Sequence, residues 1–321
     1  MSEYTIALDA MGGDQAPDAI VAGAIAALKR FGDIRVILAG PQKRLEELVS
    51  GADEVRDRLE ILPADEVIQM DDSPMLAVRE GRAGAVVSAG NTGALLAGGM
   101  LRIGRIAGIE RPALAPVIPG VNKPFLLIDA GANVDCQPRY LVQFGLMGSV
   151  YMRSVMNVER PAVGLVNIGA EAEKGNRLTK ETYQLMQAQT SYYFAGNVEA
   201  RDVPSGDFDV VVADGFDGNI ILKYTEGLAS AMMGMLKSDL NASRVTKLGA
   251  ALSRPAFRKF KRSMDYNAYG GAPLLGVDGA VIKAHGSSGE TAIMNALRQA
   301  REMLAGDVAG KIREGLEGLT E

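Results

Sequence analysis

The chain holds a single cysteine, Cys136, in 321 residues, so it has no disulfide framework and a reducing compartment is expected. It holds a single histidine, His285, which excludes a multi-histidine metal site. Tryptophan is absent and aromatics make up only 5% of the residues. No apolar run is long enough to span a bilayer. The net charge of −5 argues against a general nucleic-acid binder, so no nucleic-acid partner is expected. There is no G-x-G-x-x-G or G-x-x-x-x-G-K-[ST], hence no support for a dinucleotide site or a P-loop. The nucleophile elbow G-x-S-x-G is missing too. No repeat, low-complexity tract or linker marks a boundary, so one domain over residues 1–321 is expected. The chain runs straight into strand-like Tyr4-Thr-Ile-Ala-Leu8 without a signal-peptide pattern, so a soluble cytosolic protein is expected.

What is present is a core-forming 47% of hydrophobic residues, and 38 glycines with no collagen-like or linker-like period. The stretch Ala85-Val-Val-Ser-Ala-Gly-Asn-Thr-Gly-Ala-Leu-Leu96 organises the rest. It reads as a strand, a tight polar turn and a helix start. Its glycines permit close backbone approach. Asn91 or Thr92 is placed to cap the helix, and the amides at the turn favour an anion. A plain strand-to-helix turn is the competing reading.

The same device recurs along the chain. Apolar strands are predicted at Thr5–Leu8, Ile34–Ala39, Leu59–Leu62, Phe125–Ile128, Ala162–Val166, Tyr192–Ala195 and Asp209–Ala213, alternating with helical spacing. Ala113–Ile118 is predicted as one edge strand, because Pro116 lacks a donor. Asp71-Asp-Ser-Pro74 reads as a turn, and Gly270–Leu275 as turn-rich. The class is therefore α/β with a largely parallel sheet, which binds ligands beyond the carboxyl ends of its strands. Asp9 with Gly12 and Gly13, Ser88 with Asn91 and Thr92, and Asp129 with Asn133 and Asp135 stand at such ends. So do Asn167, Asn197 with Glu199, and Asp214 with Asn219. Each asparagine alone reads as a turn or cap residue. Together they predict one cleft rimmed by amides, backbone N–H groups and a few carboxylates. Asp129, Asp135 and Asp214 have no diagnostic metal spacing, and no metal is expected.

Cys136 and His285 admit two readings. They are a nucleophile and its base, or Cys136 is a small buried hydrophobe with no electropositive neighbour in sequence. His285 lies beside Lys283, Gly286, Ser287 and Ser288, which suits either an anion pocket or a structural role.

Eight motifs now stand in order. They are Leu8-Asp-Ala-Met-Gly-Gly-Asp14, Val87-Ser-Ala-Gly-Asn-Thr-Gly-Ala-Leu95, Asp129-Ala-Gly-Ala-Asn-Val-Asp-Cys136 and Gly145-Leu-Met-Gly-Ser-Val-Tyr151. Gly196-Asn-Val-Glu199, Asp214-Gly-Phe216, Tyr269-Gly-Gly-Ala-Pro-Leu-Leu275 and Lys283-Ala-His-Gly-Ser-Ser288 follow. From about residue 4 to about residue 300 the chain resembles the bacterial phosphate acyltransferases of phospholipid synthesis, the acyl-carrier-protein:phosphate transacylases. The resemblance implies conversion of a fatty acyl-carrier-protein thioester and inorganic phosphate into acyl phosphate and free carrier protein. It implies no cofactor. It implies a three-layer fold similar to isocitrate and isopropylmalate dehydrogenases and to phosphotransacetylases. It also implies a cytoplasmic homodimer that associates peripherally with the inner face of the membrane. There its product feeds a glycerol-3-phosphate acyltransferase.

Two departures stand out. Gln15 replaces a histidine that many members carry after Gly-Gly-Asp. Only Arg79-Glu-Gly-Arg-Ala-Gly84 joins the Asp-Asp-Ser-Pro turn to the second glycine turn, roughly a dozen residues short of a usual crossover. Any phosphate contact from that segment, and the activity of this chain, are put in question.

Phosphate is already a nucleophile, so the site has to desolvate and position it and stabilise an oxyanion. The Gly12/Gly13 turn, the Ser88–Thr92 turn and Lys283 are expected to hold phosphate. Asn133, His285 and Ser287 are expected at the carbonyl. Lys174 and Asn176, in a charged loop, are secondary candidates, with a solvated loop as the alternative. Asp9, Asn197 and Asp214 are expected to line the site and orient other groups. Two other functions remain open at this stage: a covalent thioesterase or transacylase through Cys136 and His285, and a non-catalytic scaffold of lipid synthesis.

Two surfaces complete the reading. The Gly- and Met-rich segment Phe144–Met152 suits close helix packing, within one subunit or between two. Leu228–Met264 has helical spacing, and between 237 and 262 it carries eight Lys or Arg and one Asp. A basic amphipathic helical hairpin of this kind suits an anionic membrane surface. A solvated hairpin or a surface for the acidic carrier protein is the alternative.

Overall fold

The computed structural model describes residues 4–64, 74–264 and 266–319. The strands form two sheets. In the first, β1 (Tyr4–Asp9), β2 (Ile34–Gly40), β3 (Leu59–Pro63) and β4 (Ala85–Ser88) run parallel. β5 (Ala113–Leu114), β11 (Ala272–Leu275) and β12 (Ala280–Lys283) complete it in the order β3-β2-β1-β4-β12-β11-β5. The second contains β6 (Val117–Ile118), β7 (Phe125–Ile128), β10 (Val210–Val212), β8 (Ala162–Asn167) and β9 (Tyr193–Glu199), in that order. All its pairs are parallel except β6 with β7.

Helices cover both faces of each sheet. α1 (Asp18–Arg30) and the later α9 (Glu290–Ala305) pack together over β1, β4 and β12. α2 (Gln42–Val49) lies on β3. The opposite face of that sheet is covered by α3 (Thr92–Gly98) and a helical stretch at 74–79, through Met75 and Leu95. α4 (Pro138–Ser154) is buried from Leu141 to Met152, and it joins the cores of the two sheets. α5 (Arg177–Gln187) flanks α4, and α10 (Val308–Leu316) packs on it from the other side. α6 (Gly215–Asn241) covers the far face of the second sheet through Ile221 and Leu222.

The structure alters several expectations. Ala113–Ile118 is two strands, not one. Pro116 interrupts the run, and the chain passes there from the edge of the first sheet to the edge of the second. The stretch Gly270–Leu275 contains β11, with β12 after it. Pro273 disguised the strand, yet its carbonyl still accepts from Ala115 N at 2.9 Å. β9 runs on through Gly196 to Glu199. Asp71, Asp72 and Ser73 of the expected turn lie outside the described residues. Phe144–Met152 is internal, because Gly145 seats Tyr192 and Gly148 lets α4 close on Val210. That segment is not available to a second subunit.

The basic stretch forms three helices rather than a hairpin: the end of α6, α7 (Arg244–Leu252) and α8 (Arg254–Ser263). Ser243 opens α7 with a capping box, its hydroxyl accepting from Thr246 N at 3.1 Å. Among the described residues no helix is long and apolar enough to cross a membrane.

Candidate active site

Three neighbouring strands of the first sheet end together. Leu8 of β1 stands opposite Val87 of β4, and Lys283 of β12 stands opposite Ser88 of β4. β2 lies on the other side of β1. Chain order therefore reverses between β1 and β4, the kind of switch point at which a crevice opens beyond the strand ends.

The residues at this point bond to one another. Asp9 is 2% exposed and Ser88 is 4% exposed. The Ser88 hydroxyl donates to Asp9 Oδ2 at 2.7 Å and accepts from Gly90 N at 3.0 Å. Asp9 Oδ1 accepts from Met11 N and Gly12 N, each at 3.0 Å. The two glycine turns are thus tied by one carboxylate–hydroxyl bridge. Gly13 adopts φ +101°, and Asp14 N donates to the Gly286 carbonyl at 2.7 Å, which brings in the loop after β12. Gln15 clasps the same loop, its Nε2 donating to the Ser287 carbonyl at 3.2 Å. In this chain the residue at that position is a loop tie. Asn91 caps α3 by accepting from Ala94 N at 3.0 Å; it and Thr92 are exposed at the rim.

Lys283 is half-buried between these turns. Its Nζ donates to the Ala89 carbonyl at 3.3 Å and to the Ala284 carbonyl. Burial holds the ammonium below the ordinary lysine range; the Asp9 carboxylate opposes that shift and Lys223 adds to it. Lys223 belongs to α6, the helix of the second sheet, where its Nζ donates to Glu226 Oε2 at 2.9 Å. Sequence reasoning missed Lys223. It stands four residues after Asn219 on one helical face, and Asn219 lies against Gly131.

His285 and Ser287 are exposed at the edge of the cluster. His285 Nδ1 accepts from Ser287 N at 3.2 Å and lies 2.8 Å from Ser287 Oγ. In the neutral ring the proton then sits on Nε2.

The second sheet supplies a separate constellation at the end of β7. Asp129 is fully buried. Its carboxylate accepts from Leu114 N at 2.9 Å, Ala132 N at 3.1 Å and Asn133 N at 2.6 Å. Burial raises its pKa, and these hydrogen bonds oppose the rise. Asn133 was expected at the carbonyl of the substrate. Its Nδ2 instead donates to Pro112 O at 2.8 Å and to Asp129 Oδ2 at 3.0 Å. Both amide hydrogens are committed, so Asn133 is a tie between loops. Asp214 caps α6, accepting from Asp217 N at 2.8 Å.

Lys174, Asn176 and Asn197 gather at the β8–β9 end. Asn197 Nδ2 donates to Glu171 O at 2.9 Å, Asn167 Nδ2 donates to Lys174 O at 3.1 Å, and Asn176 caps α5. Among the described residues no hydrogen bond joins this group to the Asp9–Ser88–Lys283 cluster. Each of these asparagines holds a loop in place through its side-chain amide.

The Cys136 thiol donates to the Asn133 carbonyl at 3.4 Å rather than to His285. Burial and the carboxylates of Asp129, Asp214 and Asp135 push it up to about 12. A thiol so held is not a nucleophile near neutral pH. Cys136→Ser is expected to keep at least half of the parent acyl-transfer rate in a steady-state assay; a loss on the order of a hundredfold restores the covalent route.

The family model described as "Fatty acid synthesis protein" matches residues 4–311. The chain is 49% identical over 324 residues to a "Phosphate acyltransferase" of Clostridium perfringens (strain SM101 / Type A), covering 96% of each. It is 47% identical over 329 residues to a "Phosphate acyltransferase" of Clostridium acetobutylicum, covering 98% of this chain and 99% of that one. These alignments are longer than the share of the 321 residues that they contain. Each of these two relatives therefore carries positions with no counterpart here. Among solved structures, a phosphotransacetylase from Streptococcus pyogenes superposes with a TM-score of 0.64 at 14% identity, covering 97% of this chain and 94% of that one. At that identity the likeness is one of fold.

Proposed function

The chain belongs to the fatty acid synthesis protein family, and from that membership we propose that it moves a fatty acyl group from acyl carrier protein to inorganic phosphate. The observation that carries the reading is the junction of β1, β4 and β12. There two glycine turns and the half-buried ammonium of Lys283 meet around the Asp9–Ser88 bridge. A half-buried cation beside two glycine turns at a switch point suits a small oxyanion. Phosphate held there attacks the thioester carbon directly. A phosphate oxygen bonds to that carbon, the C–S bond breaks, and its electron pair leaves with the sulfur. Lys283 steadies the negative charge, and His285 Nε2–H is assigned to the carbonyl oxygen or the departing sulfur. Ser287 holds that tautomer. Lys174, Asn176 and Asn197, at the β8–β9 end, are second-rank candidates for contact with the substrate.

The test is acyl phosphate formation from a fatty acyl-carrier-protein thioester and inorganic phosphate by the full chain. Phosphate-dependent product is expected, and none would favour the scaffold reading. Lys283→Ala is expected to lower kcat/KM for phosphate by about a hundredfold or more, with thermal unfolding little changed. An unchanged rate at saturating phosphate removes Lys283 from the site.

The assembly proposed is a cytoplasmic homodimer resting on the inner face of the membrane, where a glycerol-3-phosphate acyltransferase takes the product. Two features support it. Leu248 and Leu252 of α7 and Phe260 of α8 are exposed amid basic side chains. Each Lys or Arg near an anionic surface adds about 1 kcal/mol of attraction, weakened by salt. Liposome co-sedimentation is expected to show binding to anionic vesicles, lost when Phe257, Phe260, Lys259 and Lys261 are changed to Ser or Glu. Equal binding by parent and variant, or none by the parent, removes α7 and α8 from any membrane contact.

A further inference from the structure

We propose that Gln299, backed by Tyr151, is a positioning residue for Lys283: through Gly271 it fixes the main chain on which that lysine is seated. This rests on the reading of Lys283 as the ammonium that holds phosphate.

Gln299 is an amide on an otherwise apolar face. Around it on α9, Ala296, Leu297, Ala300 and Met303 form the buried side, and Gln299 itself is 1% exposed. An amide buried in such company costs stability unless both of its ends are bonded. Both are. Its Oε1 accepts from Gly271 N at 2.8 Å, and its Nε2 donates to the buried Tyr151 hydroxyl of α4 at 2.8 Å. The backbone donor decides which way round the amide stands, because only its oxygen can accept. So enclosed, Gln299 has no face to offer a substrate.

Lys283 lies directly beyond Gly271. Ala272, the first residue of β11, pairs with Lys283, the last residue of β12. A Cβ on Gly271 would overlap the Lys283 carbonyl oxygen and lie 2.8 Å from its carbonyl carbon. Gly270 adopts φ +105°, and a Cβ on it would lie 2.5 Å from Gln299 Oε1. The two glycines of Tyr269-Gly-Gly271 thus serve two close approaches. Gly270 lets the chain close on Gln299, and Gly271 lets it close on Lys283. Arg298 adds a tie one step earlier, donating to the Ala268 carbonyl at 3.0 Å. The Lys283 ammonium follows this main chain, because its Nζ donates to the carbonyl of the next residue, Ala284. A loosened Gly271 therefore shifts the charge with respect to the two glycine turns.

The test is steady-state acyl phosphate formation, with inorganic phosphate and the fatty acyl-carrier-protein thioester varied in turn. Gln299→Leu removes both bonds and is expected to raise KM for phosphate about tenfold, with KM for the thioester held within about twofold. Tyr151→Phe keeps the ring and removes only the oxygen behind the amide. A rise of about threefold in KM for phosphate is expected of it, and it carries the test if Gln299→Leu does not fold. KM does not depend on how much protein is folded, so lost stability alone leaves it unchanged. Each variant is then combined with Lys283→Ala, since only a residue that acts through the lysine loses its effect when the lysine is gone. Gln299→Leu is expected to lower kcat/KM for phosphate about tenfold in the parent and less than about twofold in Lys283→Ala. A parental KM for phosphate in the folded variants, or an equal loss with and without the lysine, overturns the assignment. Lys283→Ala alone separates this from failure of the site. If that variant uses phosphate like the parent, the lysine is not the phosphate ligand and the underlying reading falls. If it is impaired while Gln299→Leu and Tyr151→Phe keep the parental KM, only the positioning role falls.

Discussion

Gly12→Ala is expected to reduce acyl phosphate formation by at least about a hundredfold, because a shift of about 1 Å at a positioned group already costs that much. The added methyl would overlap the Asp9 carboxylate and lie 2.5 Å from Gly90 N and 3.0 Å from Gly90 Cα. Two of those neighbours are backbone, and the third is a carboxylate fixed by hydrogen bonds, so no side chain can swing aside. The first turn has to move away from the second. The Asp9–Ser88 bond lengthens, and Lys283, held by the Ala89 carbonyl of the second turn, is displaced with respect to the first. The strand below is anchored by its ladders to β2 and β4, so overpacking costs the fold about 1–3 kcal/mol and leaves the protein folded. Gly32→Ala is the control, since a Cβ there meets nothing within 4 Å. Steady-state kinetics and thermal unfolding of both variants decide the matter. A Gly12→Ala protein with parental kcat/KM would show that the two turns need not touch.

The same residues show what was legible in the sequence and what was not. Apolar strands followed by polar turns identified the α/β class and named Asp9, Gly12 and Ser88, because strand ends in such folds are recognisable locally, whereas Lys283 was named from its place beside His285, Ser287 and Ser288. Their mutual bonds were not legible. They depend on β1, β4 and β12 lying side by side, and those strands are far apart in the chain. β12 is a short strand of four residues that no pattern marked, and β11 before it carries a proline and read as turn-rich. The division into two sheets hides in one residue, Pro116, which looks like an edge marker and is also the crossing point. The recurring asparagines are ambiguous in sequence because a cap and a ligand share one signature. Only the partner atom tells them apart, as the committed amide of Asn133 shows. The α6 helix was legible as a helix, but its outer face and Lys223 were not, since helical periodicity does not say which side the sheet will cover.

That outer face carries the second large effect. Along α6, Phe216, Ile220, Tyr224, Leu228, Met232 and Leu236 recur every fourth residue and are between 38% and 68% exposed. Residues four apart form one ridge of a helix, and two such ridges interlock at a crossing of about −50°. The inner side of α6 touches the sheet only through its first turns, where Gly215 and Gly218 are the buried residues. The rest of the helix has few tertiary contacts within one subunit, and a solvated helix of this kind is marginal on its own. In the homodimer proposed above, a second copy crossing at the middle of the ridge would cover Tyr224 and Leu228 from both sides, and a two-fold axis there would make the contact self-complementary. We therefore expect Tyr224→Asp/Leu228→Asp to weaken dimerisation more than a hundredfold. Each change appears twice across the axis, removes about 2 kcal/mol of apolar burial and sets like charges together. Sedimentation at micromolar concentration should show dimer for the parent and monomer for the variant. Turnover should fall as well, because Asn219 and Lys223 sit on the same helix and lose their footing when its outer side is wetted. A parent that is already monomeric, or a variant that remains dimeric, places the subunit contact elsewhere.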